Sequence, residues 1–269
     1  MSRIEEALEK ANKLRESEDP KKSKPFKAST AGLPASVKID DSCIMTLSQP
    51  ESPIAEEYRK LKSIVIRATK ADFLNTIMIT SAIDSEGKSL TAINLAASLA
   101  QEIDHSILLI DADLRRPLIH DYFGLKPELG LSDYLTGNAD LSDLLIKTGI
   151  GNLTILPAGR NPKNPVELLS SARMKTLVNE VKHRYADRYV IIDTPPVLPF
   201  AEAMAIGSFV DGVIFVVKEG YAQRKTIREA VNLIKDLNII GVVFNAVSME
   251  NLDGYYHRYY YNYYGRKEK

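Results

Sequence analysis

The residues best suited to chemistry begin with segment 81–89, whose sequence is Ser-Ala-Ile-Asp-Ser-Glu-Gly-Lys-Ser. Its end, Gly87-Lys88-Ser89, matches the phosphate-binding pattern Gly-x-x-x-x-Gly-Lys-Ser/Thr, although Ala82 replaces the first glycine. Backbone N–H groups and a helix N-terminus would wrap the phosphates, Lys88 would neutralise their charge, and the Ser89 hydroxyl would reach Mg²⁺. The predicted nucleotide-binding residues are Asp84, Ser85, Glu86, Gly87, Lys88, Ser89 and Leu90.

Carboxylates follow two other apolar segments. Asp111 ends the segment 106–111 and Asp113 follows two residues later, and Asp193 ends 189–193. In open parallel sheets, ligands bind where the strands end. Neighbouring buried carboxylates are costly unless they are paired or bind a metal, and Mg²⁺ would supply that pairing. Asn245 ends a further apolar segment. Two roles are open for it: recognition of the edge of the adenine base, or a place in a turn at the end of a strand.

The C-terminus is crowded with phenols. Seven of the chain's thirteen tyrosines lie within ten residues: Tyr255, Tyr256, Tyr259, Tyr260, Tyr261, Tyr263 and Tyr264. Such density has neither the alternation of a strand nor the stripe of a helix, so a buried element is not expected. With glycine on both sides and a charged end, the segment is predicted to be a mobile tail of phosphoryl acceptors.

The elements that must position these residues alternate along the chain. Apolar strand candidates lie at 74–80, 106–111, 153–157, 189–193, 212–217 and 239–246, and helical patterns lie at 88–102, 165–185 and 223–237, with another helix from Ser52. Strands that are apolar on both faces and alternate with helices indicate a mostly parallel sheet covered on both sides. The predicted fold class is therefore α/β.

Composition restricts the function. The 35 basic and 35 acidic side chains cancel, which argues against a nucleic-acid partner. A single cysteine, Cys43, excludes an intramolecular disulfide and fits a reducing cytoplasm. The charged N-terminus is not a signal peptide, and no apolar stretch approaches the roughly 18 residues of a membrane span. The sequence predicts a soluble, cytoplasmic protein.

Four segments are expected. Residues 1–16 read as an amphipathic helix with Ile4, Ala7, Leu8 and Ala11 on one face. Residues 17–44 form a linker rich in proline, lysine and serine. Residues 45–250 hold the phosphate loop and the alternating elements, and 251–269 form the tyrosine-rich tail.

Together these segments resemble the bacterial protein-tyrosine kinases, which are cytoplasmic autokinases of exopolysaccharide synthesis and export. That family is related to the MinD/ParA branch of phosphate-loop ATPases. The resemblance covers about residues 45–269, through a Walker A loop at 82–89, a Walker A′ motif at 108–115, a Walker B motif at 191–196 and the tail. The N-terminal helix and linker are similar to the exosortase-associated type. The lysine that MinD/ParA ATPases carry near the start of the loop is absent, which favours the kinase branch.

The resemblance implies roles for single residues. Lys88 and Ser89 would bind ATP phosphates and Mg²⁺, Asp193 would position the metal, and Asp111 and Asp113 would complete its shell, with Asp111 the base for the incoming phenol. The family's Glu-x-x-Arg-x-x-Arg helix, which closes a ring of subunits, corresponds to Glu56, Arg59 and Lys62. Lysine lacks the planar fork of arginine, so this contact differs from the family's.

The resemblance also implies partners. A neighbouring subunit would supply the tyrosine, which makes the chain a homo-oligomer with a ring as one form. A separate membrane chain-length regulator would activate the kinase and recruit it to the inner face of the cell membrane, with the N-terminal helix as the candidate contact. A phosphotyrosine phosphatase would reverse the reaction.

Two other readings fit part of the sequence. A MinD/ParA-like positioning or assembly ATPase explains the phosphate and aspartate motifs but leaves the tail without a role. An RNA-associated protein would use the Tyr/Arg tail to stack on single strands, but the balanced charge and the lack of a basic groove disfavour it. Deleting residues 254–269 separates the first reading from an autokinase, which would lose its acceptors.

Overall fold

The computed structural model describes residues 43–71, 73–184 and 187–248. Within these ranges seven strands form one sheet, in the order β3-β4-β2-β5-β1-β6-β7. The strands are β1 Thr76–Ser81, β2 Ser106–Asp111, β3 Ile146–Lys147, β4 Leu153–Leu156, β5 Arg188–Asp193, β6 Gly212–Lys218 and β7 Ile239–Asn245. The expected N-terminal helix, most of the linker and the tail lie outside the described residues.

All strand pairs are parallel except β3 with β4 at one edge, so the predicted mostly parallel α/β sheet is confirmed. The predicted strands differ from the observed ones by at most two residues at an end. The two-residue strand β3 was not predicted, because so short a segment carries no periodicity.

Ten helices accompany the sheet in the described ranges. They are α1 Met45–Ser48, α2 Pro53–Thr69, α3 Lys88–Leu99, α4 Ile119–Tyr122, α5 Leu131–Thr136, α6 Leu141–Leu144, α7 Pro165–Leu169, α8 Ala172–His183, α9 Glu202–Gly207 and α10 Arg224–Leu233. The single helix predicted over 165–185 is wrong. Two helices form there, because the Ser171 hydroxyl accepts a hydrogen bond from Met174 N and starts α8.

Alternating residues of the central strands supply two cores. On one face Ile77, Ile79 and Ile191 pack with α3, and on the other Met78, Ile192 and their neighbours pack with α8 and α9. Both faces are therefore apolar, as parallel sheets require. The prediction of helices on both faces is confirmed.

Strand register decides where the polar ends meet. In the β2–β5 pair Asp111 lies opposite Asp193, and in the β1–β5 pair Ile79 lies opposite Asp193. The chain then enters the phosphate loop directly after β1. We call the side of the sheet where β1, β2, β5 and β6 end the carboxyl edge, and the opposite side the amino edge. The carboxyl edge gathers the predicted site residues.

In the part of the chain that the structure describes, no helix combines the length and apolar character needed to cross a bilayer.

Candidate active site

Contacts with the rest of the protein hold the phosphate loop in shape. Gly87 adopts φ +90°, a left-handed conformation that favours glycine, and α3 begins at the next residue. Glu86 is fully buried and its carboxylate accepts a hydrogen bond from Ile83 N at 3.0 Å. The Asn245 amide donates to Glu86 O at 2.8 Å, and a Cβ on Gly87 would collide with that amide. The loop is thus a rigid cradle ahead of a helix N-terminus.

A cleft of about 310 Å³ opens over this cradle. Its lining residues come from the loop, the Asp113 turn and α4: Asp84, Ser85, Gly87, Lys88, Ser89, Leu90, Asp113, Arg116, Leu118 and Tyr122. All the predicted nucleotide-binding residues of the loop line it except Glu86, whose side chain turns into the protein. The structure therefore brings the predicted loop residues to one concave site, which suits phosphate binding at a helix N-terminus.

Lys88 is the buried cation of this site. It is 8% exposed, and its Nζ lies 3.4 Å from an Asp113 carboxylate oxygen. The other Asp113 oxygen accepts a hydrogen bond from Arg116 N at 3.1 Å. Asp113 therefore holds Lys88 at the cleft wall, where an incoming phosphate would compete for the ammonium group.

Asp111 lies behind the wall of the cleft at which Asp113 holds Lys88. Its two oxygens accept hydrogen bonds from Ile119 N at 3.1 Å and Asp113 N at 3.3 Å. Burial and the neighbouring Asp193 charge raise the pKa of Asp111 well above its ordinary value, although the backbone donors oppose this shift. The geometry makes Asp111 an anchor for the turn that carries Asp113, and its raised pKa suits proton transfer.

Asp193 has no such donors. Among the described residues neither of its carboxylate oxygens has a hydrogen-bond partner of acceptable geometry, although the side chain is fully buried. Burial raises the pKa of Asp193 to about 7, while the charge of Lys88 and the nearby Ser89 hydroxyl lower it. Buried carboxylates without hydrogen-bond partners are rare because they cost free energy. One that a protein keeps is typical of a site where a cation binds.

These carboxylates fit Mg²⁺ of the kind that accompanies a nucleotide. In the described ranges no group of three or more His, Cys, Asp or Glu side chains is arranged to hold a metal ion, so Asp111, Asp113 and Asp193 do not form a joint site by themselves. Magnesium in nucleotide sites is held by one or two carboxylates together with phosphates and water, so a protein cage is not required. The orphaned oxygens of Asp193 beside Ser89 supply such a partial site.

Other predicted residues have contacts within the chain. On α2, Glu56 pairs with Arg59, which also donates to Pro50 O, and Lys62 pairs with Glu102 across to the end of α3. Their role between subunits stays a prediction. The Asn245 amide supports the phosphate loop by donating to Glu86 O, and its contact with adenine stays a prediction. The seven tail tyrosines lie outside the described residues.

Sequence reasoning missed several neighbours of the site. Tyr122 and Leu118 line the cleft from α4 and carry no motif that would have marked them. Arg115 Nε donates to the buried Glu202 at 2.6 Å, and its guanidinium lies 4.6 Å from the Phe200 ring centroid. This contact joins the Asp113 turn to α9 across 87 residues of sequence, so no local pattern could have shown it.

Comparison with known proteins places this geometry in context. Residues 74–240 match the family profile described as AAA domain. The chain is 33% identical to the tyrosine-protein kinase YwqD of Bacillus subtilis over 227 residues, which are 84% of this chain and 92% of that protein. The solved kinase domain of the Escherichia coli tyrosine kinase ETK is 32% identical, with a TM-score of 0.70 over 76% of this chain and 82% of that one.

A more distant structure shares the fold alone. The septum site-determining protein MinD of Pyrococcus horikoshii, solved with Mg-ADP, is 23% identical and has a TM-score of 0.56. It aligns over 68% of this chain and 76% of that one. The predicted relationship to MinD-like phosphate-loop proteins is confirmed at the level of the fold.

Proposed function

Because this chain belongs to the family of bacterial tyrosine-protein kinases, we propose that it transfers the γ-phosphoryl group of ATP to the tyrosines of its own C-terminal segment. Transfer takes place between subunits of a homo-oligomer. The predicted acceptors are the seven tyrosines between 255 and 264. The chain thereby regulates exopolysaccharide synthesis and export.

One observation carries the proposal most strongly. Lys88 lines the cleft over the phosphate loop and pairs with Asp113, and its charge also acts on the buried Asp193 carboxylate, whose oxygens have no hydrogen-bond partner of acceptable geometry among the described residues. Three buried charged groups gathered in this way are costly in an empty site and are stabilised by a phosphate with its metal. This supports a site that binds a metal–nucleotide complex.

The chain's own residues act mainly by position and charge. Lys88 and the loop N–H groups neutralise the phosphate oxygens, which is the main requirement of phosphoryl transfer. The phenol oxygen forms a bond to the γ-phosphorus while the bond to the β–γ bridging oxygen breaks and ADP leaves. The phenol proton passes to Asp111, the base that the family resemblance implies, whose raised pKa favours holding a proton near neutral pH.

Magnesium would be held by Ser89 and Asp193, with Asp111 and Asp113 nearby to complete its surroundings. When bound, the ion would neutralise charge that develops on the phosphates. Without the ion, burial is the main cause of the raised pKa of Asp193, and the neighbouring Asp113 charge adds to it.

The wider assembly belongs to the same proposal. The family resemblance supports a separate membrane chain-length regulator that activates the kinase and recruits it from the cytoplasm to the inner face of the membrane, and a phosphatase that removes the phosphates. Glu56, Arg59 and Lys62 on the partly exposed face of α2 are the proposed subunit contact.

Intact-mass spectrometry tests the function. The purified chain is incubated with ATP and Mg²⁺ beside Lys88→Met and beside a chain lacking residues 254–269. We expect a ladder of added phosphates on the full chain, mapped to the tail tyrosines, and none on either variant. ATP hydrolysis without added mass would instead favour a MinD-like positioning ATPase.

A further inference from the structure

A second cleft, about 510 Å³ in volume, adjoins the phosphate cleft. We call it the aromatic cleft, and its lining residues are Ile83, Asp84, Leu198, Pro199 and Tyr221. They come from the loops that follow β1, β5 and β6, so the cleft lies at the carboxyl edge. Asp84 lines both clefts. A molecule in the aromatic cleft would therefore lie beside the phosphates without occupying their site.

The lining suits an aromatic peptide. Four of its five residues offer apolar or ring surface, and Tyr221 is 48% exposed although it is large. Flat phenol rings pack well on proline and on another ring, and a tyrosine keeps its hydroxyl at the wet rim. Charges of both signs stand at this rim, because Asp84 pairs with Arg116 at 3.8 Å and Lys218 Nζ lies 4.8 Å from the centre of the Tyr221 ring. A tyrosine-rich peptide meets the requirement for ring packing.

The chain itself leaves the sheet at the rim of this cleft. Ser248 N donates a hydrogen bond to the Glu219 carboxylate at 2.6 Å, and Glu219 N donates to Asn245 O at 2.9 Å. Glu219 is two residues before Tyr221, which lines the cleft. The segment that begins at residue 249 therefore starts next to the aromatic cleft of its own chain.

Reach and tethering favour this segment over any free peptide. Tyr255 is seven residues beyond Ser248, so an extended chain carries it up to about 25 Å from the exit point. A short flexible tether gives an effective concentration on the order of 1 mM, far above that of a second copy in dilute solution. The segment also carries a pair of tyrosines, Tyr255 and Tyr256, and a run of three, Tyr259, Tyr260 and Tyr261.

We propose that the aromatic cleft binds the unphosphorylated tyrosine-rich tail of the same chain, with residues 255–260 in the cleft. The docked tail is stored beside the phosphate site and is withheld from neighbouring subunits. The inference rests on the proposed function only where it treats these tyrosines as acceptors.

Photo-crosslinking tests the docking directly. The full chain carries p-benzoylphenylalanine at Leu198, is treated with a tyrosine phosphatase, and is mixed as equal parts of nitrogen-14 and nitrogen-15 protein before irradiation. We expect crosslinks from position 198 to residues 249–264 within single-isotope chains, at a yield that a tenfold dilution leaves unchanged. The same photo-residue at Ile103, which is 92% exposed outside the cleft, should give no crosslink to the tail.

Several outcomes would overturn the proposal. Mixed-isotope crosslinks would place a second copy's tail in the cleft, crosslinks to residues 1–42 would place the N-terminal segment there, and no crosslink would leave the cleft without this occupant. Tyr221, replaced by the same photo-residue, serves as a second position if the Leu198 variant does not fold. Because crosslinking needs no catalysis, a failed kinase assay and a failed docking assay are distinguishable.

Discussion

The two edges of the sheet treat an aspartate in opposite ways, with Asp193 fully buried and Asp211 partly buried. At the carboxyl edge, Asp193 has no hydrogen-bond partner among the described residues and its pKa is raised to about 7, mainly by burial. At the amino edge, Asp211 accepts hydrogen bonds from Thr76 N at 3.1 Å and Thr76 Oγ1 at 2.6 Å and pairs with Lys182. Burial alone would raise the pKa of Asp211, but these donors lower it below its ordinary value.

This difference separates stability from function. Satisfied polar groups at the amino edge fix the start of β1 against the start of β6 and hold the sheet together. Unsatisfied carboxylates at the carboxyl edge destabilise the empty protein and favour a cation and phosphates. A protein selected only for stability would not keep Asp193 in this state, so its environment is an argument for the site independent of any motif.

The largest expected effect is on activity, from Asp193→Asn. Loss of the orphaned carboxylate removes the proposed metal ligand, and we expect phosphate incorporation to fall by at least about 100-fold. The unfolding free energy of the nucleotide-free protein should stay level or rise, because a buried unpaired charge is removed. Initial rates and urea denaturation measure the two quantities. A variant that lost stability and kept its activity would break the comparison.

The matched change at the amino edge is Asp211→Asn. Here we expect the unfolding free energy to fall by about 1–3 kcal/mol, because hydrogen bonds to a charged acceptor are lost and Lys182 loses its partner. Activity per folded molecule should stay within about twofold of the original, since the residue is at the far edge of the sheet. Thermal denaturation measures the change in unfolding free energy, and kinase rates measure the activity per folded molecule. A large loss of rate would contradict the assignment of the amino edge to stability rather than to function.

The pH dependence of stability should have opposite signs at the two edges. The folded-state pKa of Asp193 is raised to about 7, so the nucleotide-free protein binds a proton that the unfolded chain releases above about pH 4, and this stabilisation is lost as pH rises from about 4 to about 7. The pKa of Asp211 is lowered, so its contribution is present at neutral pH and is lost as pH falls through its folded-state pKa.

Urea denaturation of the nucleotide-free protein between pH 5 and pH 8, a window of about three units, resolves the first sign. The fall of the unfolding free energy with rising pH should be shallower in Asp193→Asn and unchanged in Asp211→Asn. Equal slopes in all three proteins would show that Asp193 does not change its protonation on folding.

The smallest effect concerns backbone strain at the carboxyl edge. Ser85 lies in the phosphate loop with φ +64°, a conformation that suits glycine. We expect Ser85→Gly to raise the unfolding free energy by up to about 1 kcal/mol, with Ser85→Ala as a control that keeps the strain and gains nothing. A gain in the alanine variant would assign the effect to the serine hydroxyl instead.

Local patterns were enough to predict part of the site. Asp111 and Asp193 stand at strand ends beside apolar runs, and Lys88 begins the helix that follows β1. Parallel strands bring such ends together without any knowledge of distant contacts. The residues that pattern reasoning misplaced depend on partners far along the chain. The Glu86 carboxylate turns inward to accept hydrogen bonds from Ile83 N and from Lys218 N, and Lys218 is 132 residues away, so the sequence around Glu86 contains no sign of that second contact.

The same division applies to the fold. The six longer strands were predicted because their apolar residues alternate with helical segments over long stretches. The break between α7 and α8 depends on one serine cap, and the short strand β3 depends on its pairing with β4. Such features involve one or two hydrogen bonds each, too few to leave a periodic signal in the sequence.

The most direct test of the whole account is intact-mass spectrometry of the original chain, Asp193→Asn and Asp211→Asn after incubation with ATP and Mg²⁺. The account predicts a ladder of phosphates, up to the seven tail tyrosines, on the original chain and on Asp211→Asn, and none on Asp193→Asn. Equal ladders on all three proteins, or no added phosphate on the original chain, would contradict it.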